Sequence, residues 1–167
     1  MHLLRVRRQL LSINLPDGYR LRVLDEVDST NAEAARIVAQ LAGPEWVLAR
    51  RQTNGRGRRG RAWSDPAGNF AASLVLFPQH PPDQIALRSF VAALALFDAL
   101  VATTGRSDAL ALKWPNDVLL NGGKVAGILL ETTALSGGGF ALTIGFGVNL
   151  LHTPQSSGFG ARAMPPV

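Results

Sequence analysis

The stretch best suited to chemistry is a short run, Gly55 to Arg61, in which four arginines and three glycines are interspersed. Glycine disfavours regular helix and arginine is seldom buried, so the run predicts a mobile surface loop. Guanidinium groups match the geometry of phosphates and carboxylates, and glycines let the backbone approach a ligand. The run therefore indicates a loop that closes over an anionic small molecule. A basic linker or a nucleic-acid-binding patch would have the same composition.

The run also contains the spacing Gly-x-Gly-x-x-Gly, which is typical of dinucleotide-binding proteins. That fingerprint requires a helix that begins within the glycines, so that its N-terminus meets the pyrophosphate. Residues 61–69 instead contain serine, aspartate, proline, glycine and asparagine, which favour turns. We therefore expect the anion to be bound by side-chain charge rather than by a helix dipole.

Three other segments carry polar residues at well-defined positions. Residues 29–31 read Ser-Thr-Asn at a predicted helix start, where hydroxyls and amides either cap the helix or bind a ligand. Residues 113–117 read Lys-Trp-Pro-Asn-Asp between two apolar strands, where they form either a simple turn or a binding corner. Lys124 begins a strand in which Gly127 indicates the close approach of a ligand or another backbone. For Trp63 and Trp114, core packing is the alternative to a ligand contact.

Composition limits the remaining choices. The 167 residues carry a formal charge of +5 and contain no cysteine, which excludes disulfides, thiolate catalysis and cysteine metal sites. Six of the seventeen basic residues lie between Arg50 and Arg61, so the positive charge is local, which weakens a general nucleic-acid role. With no apolar stretch long enough to span a membrane and no signal-peptide pattern, we expect a cytoplasmic protein.

Periodicity predicts alternating strands and helices that would position these segments. A helix from Thr30 to Leu41 begins with a Thr-x-x-Glu capping box, and a second helix spans residues 83–104 with Phe90 and Leu94 toward the core. Strands are predicted at residues 19–27, 46–50, 70–77, 110–113, 118–120, 124–131 and 140–150, with hairpin turns at 121–123 and 137–139. On the last strand Gly145 and Gly147 share one face and leave it bare.

In order and spacing, these four segments resemble the catalytic domain of biotin protein ligases over about residues 19–150. The strings Gly-Arg-Gly-Arg-Arg-Gly-Arg-x-Trp and Lys-Trp-Pro-Asn-Asp-Val carry most of the resemblance. It implies an α+β fold, a mixed sheet with helices packed on one side, similar to class II aminoacyl-tRNA synthetases. It also implies a two-step reaction: biotin and ATP, with Mg²⁺, give biotinyl-5′-AMP, and a lysine of a biotin carboxyl carrier protein then takes the biotinyl group.

The same resemblance implies roles for individual residues. Arg58 and Lys124 are the expected catalytic residues. The expected biotin-binding residues are Ser29, Thr30, Asn31, Gln52, Gly55, Arg56, Gly57, Arg58, Lys124 and Gly127. The expected residues for ATP or the adenylate are Arg56, Arg58, Arg59, Arg61, Trp63, Lys113, Asn116 and Asp117. No metal ligand is expected from the protein itself, because Mg²⁺ would arrive with ATP.

The ends of the chain depart from the family pattern. Residues 1–18 form an N-terminal extension too short for the winged helix of the repressor forms, so no DNA partner is expected. Residues 151–167 are expected to form an irregular tail, where the resemblance implies that family members continue into a small β-barrel. We expect a partner of the acetyl-CoA carboxylase carrier type and leave a homodimer open. A lipoate-type ligase or transferase of the same fold, or a non-catalytic biotin- or adenylate-binding module, are the alternatives.

We predict that biotin together with ATP protects residues 55–62 from proteolysis, because a glycine-rich lid becomes ordered when its ligand is bound. Limited trypsin digestion followed by mass spectrometry measures this, since the loop contains four arginines. Equal cleavage with and without the two ligands would contradict the lid.

Overall fold

The computed structural model describes residues 14–79, 84–85 and 87–153, and within them seven strands form one mixed sheet. The strands are β1 (Arg20–Leu24), β2 (Glu45–Ala49), β3 (Phe70–Leu76), β4 (Leu110–Lys113), β5 (Asp117–Leu120), β6 (Gly123–Ala134) and β7 (Phe140–Val148). Their order across the sheet is β1-β2-β3-β7-β6-β5-β4. β1 and β2 pair in parallel and every other pair is antiparallel. The predicted α+β class with a mixed sheet is confirmed.

In the described part of the chain, two α-helices cover the sheet, α1 (Thr30–Ile37) and α2 (Arg88–Thr104), and short 3₁₀ turns lie at Val38–Gln40 and Arg58–Gly60. Ala34 and Ile37 of α1 pack with Ala141 of β7, whereas α2 packs with its neighbour Leu142. Successive side chains of a strand point to opposite faces, so the two helices lie on opposite faces of the sheet. The described helices are thus shared between both faces rather than gathered on one side.

Helix α1 begins as predicted, but its cap differs from the predicted capping box. Ser29 is the N-cap, and its hydroxyl accepts a hydrogen bond from the Ala32 amide at 3.5 Å. The hydroxyl of Thr30 is engaged elsewhere, since it donates to Gln52 at 3.1 Å and lies 2.8 Å from the Ser73 hydroxyl. Because the Thr30 hydroxyl contacts residues distant in the chain, Ser29 caps the helix, one residue before the predicted position.

The second helix begins later than predicted, at Arg88, and two of its predicted core residues are exposed. Ala92, Ala93 and Leu100 are buried, whereas Phe90 and Leu94 are 43% and 52% exposed. Phe90 stacks on the indole of Trp114 with 6.5 Å between ring centroids. The prediction of Phe90 and Leu94 as core residues is wrong, because small alanines fill the contact with the sheet.

The predicted hairpin turns are confirmed. Asn121 and Gly122 both have positive φ, 49° and 80°, between β5 and β6. This is the conformation for which Asn-Gly is the preferred pair in a two-residue hairpin. Gly138 and Gly139 play the same part between β6 and β7, with φ of 89° and 78°.

The described part of the chain contains no helix long and apolar enough to cross a membrane. The extension and tail predicted at residues 1–18 and 151–167 fall mostly outside the described residues, which begin at Asn14 and end at Thr153.

A buried asparagine clamps the segment that leaves β7. The Oδ1 of Asn69 accepts hydrogen bonds from the amides of Leu150, Leu151 and His152 at 3.0–3.1 Å. Its Nδ2 donates to Oδ1 of Asn149 at 3.2 Å. The backbone N–H of Asn149 donates to the carbonyl of Val125. One amide side chain thereby attaches residues 150–152 to the start of β3.

We predict that Asn69→Ala lowers the free energy of unfolding by about 1 to 3 kcal/mol, since three backbone donors lose their acceptor. Urea unfolding followed by circular dichroism measures the change. Asn54→Ala, at an exposed asparagine, is the matched control and should shift stability by less than about 0.5 kcal/mol. Equal stability of the two variants would show that water replaces the clamp.

Candidate functional site

A cavity of about 540 Å³ opens on the face of the sheet that α1 covers. Its floor is formed by β6 and β7, and its walls are the start of α1, the arginine–glycine loop and the corner before β5. The lining residues are Ser29, Thr30, Asn31, Gln52, Arg56, Gly57, Arg58, Arg59, Arg61, Ala62, Trp63, Ser64, Pro115, Asn116, Asp117, Lys124, Gly127, Ile128, Leu129, Gly145, Phe146 and Gly147.

The floor is bare because glycines occupy facing positions on two strands. Gly127 of β6 pairs with Gly147 of β7, and Gly145 lies two residues before Gly147 on the same face. A Cβ atom on Gly147 would lie 2.7 Å from the indole nitrogen of Trp63, and one on Gly145 would collide with the side chain of Asn31. The glycines predicted to admit a close neighbour therefore do so, and they set the depth of the cavity.

One end of the cavity is a network of neutral polar groups. The Oε1 of Gln52 accepts from the backbone amide of Thr30 at 2.8 Å and from its hydroxyl at 3.1 Å. The Ser73 hydroxyl, which is fully buried, lies 2.8 Å from the Thr30 hydroxyl and donates to the Asn31 Oδ1 at 2.6 Å. Each member is oriented by another, as a site for a polar uncharged group requires.

The other end of the cavity is cationic. The Nζ of Lys124 lies 2.7 Å from Oδ1 of Asp117, an ion-pair contact, and 5.5 Å from the ring centroid of Trp63. The Nη1 of Arg58 donates to Oδ1 of Asn116 at 3.2 Å. Asn116 is fixed in turn because its Nδ2 donates to the carbonyl of Ile128 at 2.7 Å. An ammonium and a guanidinium are thus held at one end, where anionic groups are stabilised.

The arginine–glycine loop is folded back on itself. The Gly57 amide donates to the carbonyl of Arg61 at 2.7 Å, and the Trp63 amide donates to the carbonyl of Gly55 at 2.8 Å. Arg59, at the tip, has a positive φ of 58°. The next regular element is β3 at Phe70, not a helix, so the rejection of the dinucleotide fingerprint is confirmed.

The structure brings most of the predicted site residues into this cavity, but not Gly55 and Lys113. Gly55 lies behind the wall, where a Cβ would come within 2.8 Å of the Trp63 carbonyl oxygen. Lys113 is exposed at the end of β4, and it does not line the cavity.

Some polar residues that bond to the cavity lining were not predicted from the sequence. Ser73 lies inside an otherwise apolar strand, which was the one signal that could have revealed it. Asp65 accepts from the Gln52 amide at 2.9 Å, and burial raises the pKa of its carboxyl above the ordinary value. Glu131 accepts from Asn31 at 2.7 Å.

The tryptophan after the loop packs against the glycine floor. The Trp63 ring contacts Gly127 and Gly147, and its indole N–H is buried with no hydrogen-bond partner among the described residues. Trp114, by contrast, is 76% exposed and outside the cavity. Trp63 is therefore a wall of the site rather than a core residue.

Fold and site together define an α+β protein whose mixed sheet and arginine–glycine loop border a cavity with neutral polar groups at one end and cationic groups at the other. The model of the biotin/lipoate A/B protein ligase family matches residues 23–149. The biotin–[acetyl-CoA-carboxylase] ligase of Paracoccus denitrificans is 56% identical over 145 residues, which cover 87% of this chain and 60% of that protein.

Solved structures give the same result. The biotin protein ligase of Leishmania major in complex with biotinyl-5-AMP has a TM-score of 0.75 at 29% identity, covering 90% of this chain and 64% of the other. The biotin protein ligase of Aquifex aeolicus in complex with biotin and ATP has a TM-score of 0.68 at 31% identity, covering 83% and 55%.

The chain belongs to the biotin/lipoate A/B protein ligase family. It spans about three fifths of the length of the Paracoccus relative.

We predict that Gly147→Ala displaces the indole of Trp63, because the new methyl group would lie within 2.8 Å of three of its ring atoms. Tryptophan fluorescence should shift to longer wavelength as the ring moves toward water. Gly137→Ala is the matched control, since a Cβ there meets nothing within 4 Å. Superimposable spectra of Gly147→Ala and the wild type would contradict this packing.

Proposed function

We propose that this chain carries the catalytic site of a biotin protein ligase, which activates biotin as biotinyl-5′-AMP and transfers it to a lysine of a biotin carboxyl carrier protein. One observation carries the proposal. A single cavity joins an oriented neutral network at Thr30 and Gln52 to cations at Arg58 and Lys124. Biotin has the matching ends, an uncharged fused urea ring and a carboxylate.

In the first step a carboxylate oxygen of biotin attacks the α-phosphorus of ATP, and the bond to the leaving pyrophosphate breaks. Two anions must approach each other, and charge grows on the phosphate oxygens as the bond forms. Cations held in place before the reaction lower this barrier. Lys124, held by Asp117, and Arg58, held by Asn116, are the groups we assign to this work.

The urea ring would be recognised at the neutral end by Ser29, Thr30, Asn31 and Gln52. Buried donors and acceptors that remain unpaired are costly, so an analogue without the urea would bind poorly. Arg56 and Gly57 would contact the biotinyl phosphate, and Arg59, Arg61 and Trp63 would face the adenylate. Lys113 and Gly55, which lie outside the cavity, are not assigned a ligand contact.

In the second step the amine of the carrier lysine attacks the acyl carbon, AMP leaves, and the amine loses a proton. The mixed anhydride is sensitive to water until the carrier arrives. The arginine–glycine loop is the element we assign to the exclusion of water, since it lies over the cavity and its glycines permit movement.

Mg²⁺ would be held mainly by the phosphates of ATP, where it neutralises charge. In the described part of the chain, no three histidine, cysteine or acidic side chains lie together as a metal site. Asp117 is the acidic residue that lines the cavity, and Lys124 already contacts it.

The proposed partner is a carrier protein of the acetyl-CoA carboxylase type, which the name of the Paracoccus relative supports. A cytoplasmic location, a homodimer and the lack of a DNA partner stay predictions from the sequence. The family includes lipoate as well as biotin ligases, so lipoate is the competing substrate in any test.

Pyrophosphate release with ATP and either biotin or lipoate tests the proposal, with a carrier domain added in a second stage. Release with biotin followed by biotinyl transfer supports a ligase. Release with lipoate alone would overturn the substrate assignment. Tight biotin binding without pyrophosphate release would identify a non-catalytic binding module.

We predict that Lys124→Ala and Arg58→Ala each reduce adenylate formation by roughly 100-fold or more, as loss of a charge-stabilising donor does in other enzymes. Both residues are partly exposed, so the fold should be retained, which circular dichroism verifies. Arg51→Ala is the matched control, an exposed arginine paired with Glu26 outside the cavity. Wild-type turnover in either site variant would remove that residue from the mechanism.

A further inference from the structure

Glu131 lies on β6 two residues beyond Leu129, which lines the cavity, and it has no part in the chemistry proposed above. It follows Gly127 and Leu129 at intervals of two residues on β6, so it points to the same face as these two cavity residues. Its neighbour across the ladder, Thr143 of β7, is two residues before Gly145. A carboxylate therefore lies on the sheet face that forms the cavity floor, just beyond the lining residues.

Two elements far apart in sequence meet at this carboxylate. The Nδ2 of Asn31, at the start of α1, donates to Oε2 of Glu131 at 2.7 Å. The Nη2 of Arg56, the first arginine of the loop, donates to Oε1 and Oε2 at 3.3 and 3.4 Å. A carboxylate can accept several hydrogen bonds at once, and those from a guanidinium are charge-assisted.

The contact with Asn31 also determines which way its amide faces. The Oδ1 accepts from the Ser73 hydroxyl at 2.6 Å, while the Nδ2 donates to Glu131. Both ends of the amide are therefore held. A rotation of the amide by 180° would place its Oδ1 against the carboxylate of Glu131, where two acceptors would face each other. Ser73 and Glu131 hold Asn31 from two strands, β3 and β6.

We propose that Glu131 is a positioning residue that couples the arginine–glycine loop to the start of α1. It orients Asn31 and holds the loop through Arg56, so that one carboxylate fixes the positions of both the neutral end of the cavity and the loop. The consequence for ligand binding rests on the proposed function, while the coupling itself is a property of the ligand-free protein. Glu131 contacts no reacting group, so its effect should be on binding and on the loop.

Hydrogen exchange of the ligand-free protein tests the coupling. The amides of Gly57 and Trp63 are bonded within the loop, so their exchange reports its opening. Glu131→Gln keeps the shape and an acceptor for Asn31, but it removes the charge that holds Arg56. Exchange in the peptide that covers residues 53–63 should become roughly two- to fivefold faster, as expected for a partly exposed ion pair.

The matched control is Glu26→Gln, which neutralises a carboxylate that holds Arg51 at 3.1 Å outside the cavity. In this variant the amide hydrogens of residues 53–63 should exchange at the wild-type rate. Wild-type exchange in Glu131→Gln, or equal acceleration in both variants, would overturn the proposal. Thermal unfolding monitors global stability. In Glu131→Asp, which keeps the charge, the loop amides should exchange more slowly than in Glu131→Gln.

A second measurement separates a positioning role from general structural support. Glu131→Gln should raise the KM for biotin about fivefold while kcat changes less than about twofold, because it removes binding shared by ground and transition states. Loss of kcat with unchanged KM would overturn this part. If the wild type binds no biotin, the proposed function fails, but the exchange comparison still decides whether Glu131 holds the loop.

Discussion

The close approach of side chains to a bare glycine floor is the constraint on which the rest of the site depends. Gly127 and Gly147 face each other across β6 and β7, and the Trp63 ring lies directly on them. Gly145 gives the same access to Asn31. A methyl group on Gly145 or Gly147 would displace Asn31 or Trp63, the side chains that pack on this floor. The positions of the loop and of the helix start therefore depend on the absence of side chains at these glycines.

Around this floor the site separates into two electrostatic regions. Thr30, Gln52 and Ser73 form a network in which uncharged groups orient one another. At the other end Lys124 is held by Asp117 at the start of β5, and Arg58 is held by Asn116 just before it. Most of these side chains belong to different elements, so no local structure contains the site. It exists because the sheet brings β3, β5, β6 and the two connecting segments together.

Much of the fold could be predicted because its signals are local. Asn121 and Gly122 supply the positive φ that a tight hairpin needs, and alternation revealed the strands on either side. Errors arose where tertiary contacts competed with local preference. The Thr30 hydroxyl contacts Gln52 and Ser73, both distant in the chain, instead of capping its helix. Phe90 is exposed because alanines of α2 fill the space against the sheet. Neither effect can be predicted from the neighbouring residues in the sequence, because both depend on contacts with distant parts of the chain.

By itself the sequence determined the α+β class, the family and most of the residues that line the cavity, because chemistry and spacing are written in short strings such as the arginine–glycine loop. Only the tertiary structure decided which of those residues face inward. It left Lys113 and Gly55 outside the cavity and brought Glu131 to Arg56, which is 75 residues away in the chain. The physical reason is that side-chain direction depends on strand register and on the folding of the loop, and both are set by long-range contacts.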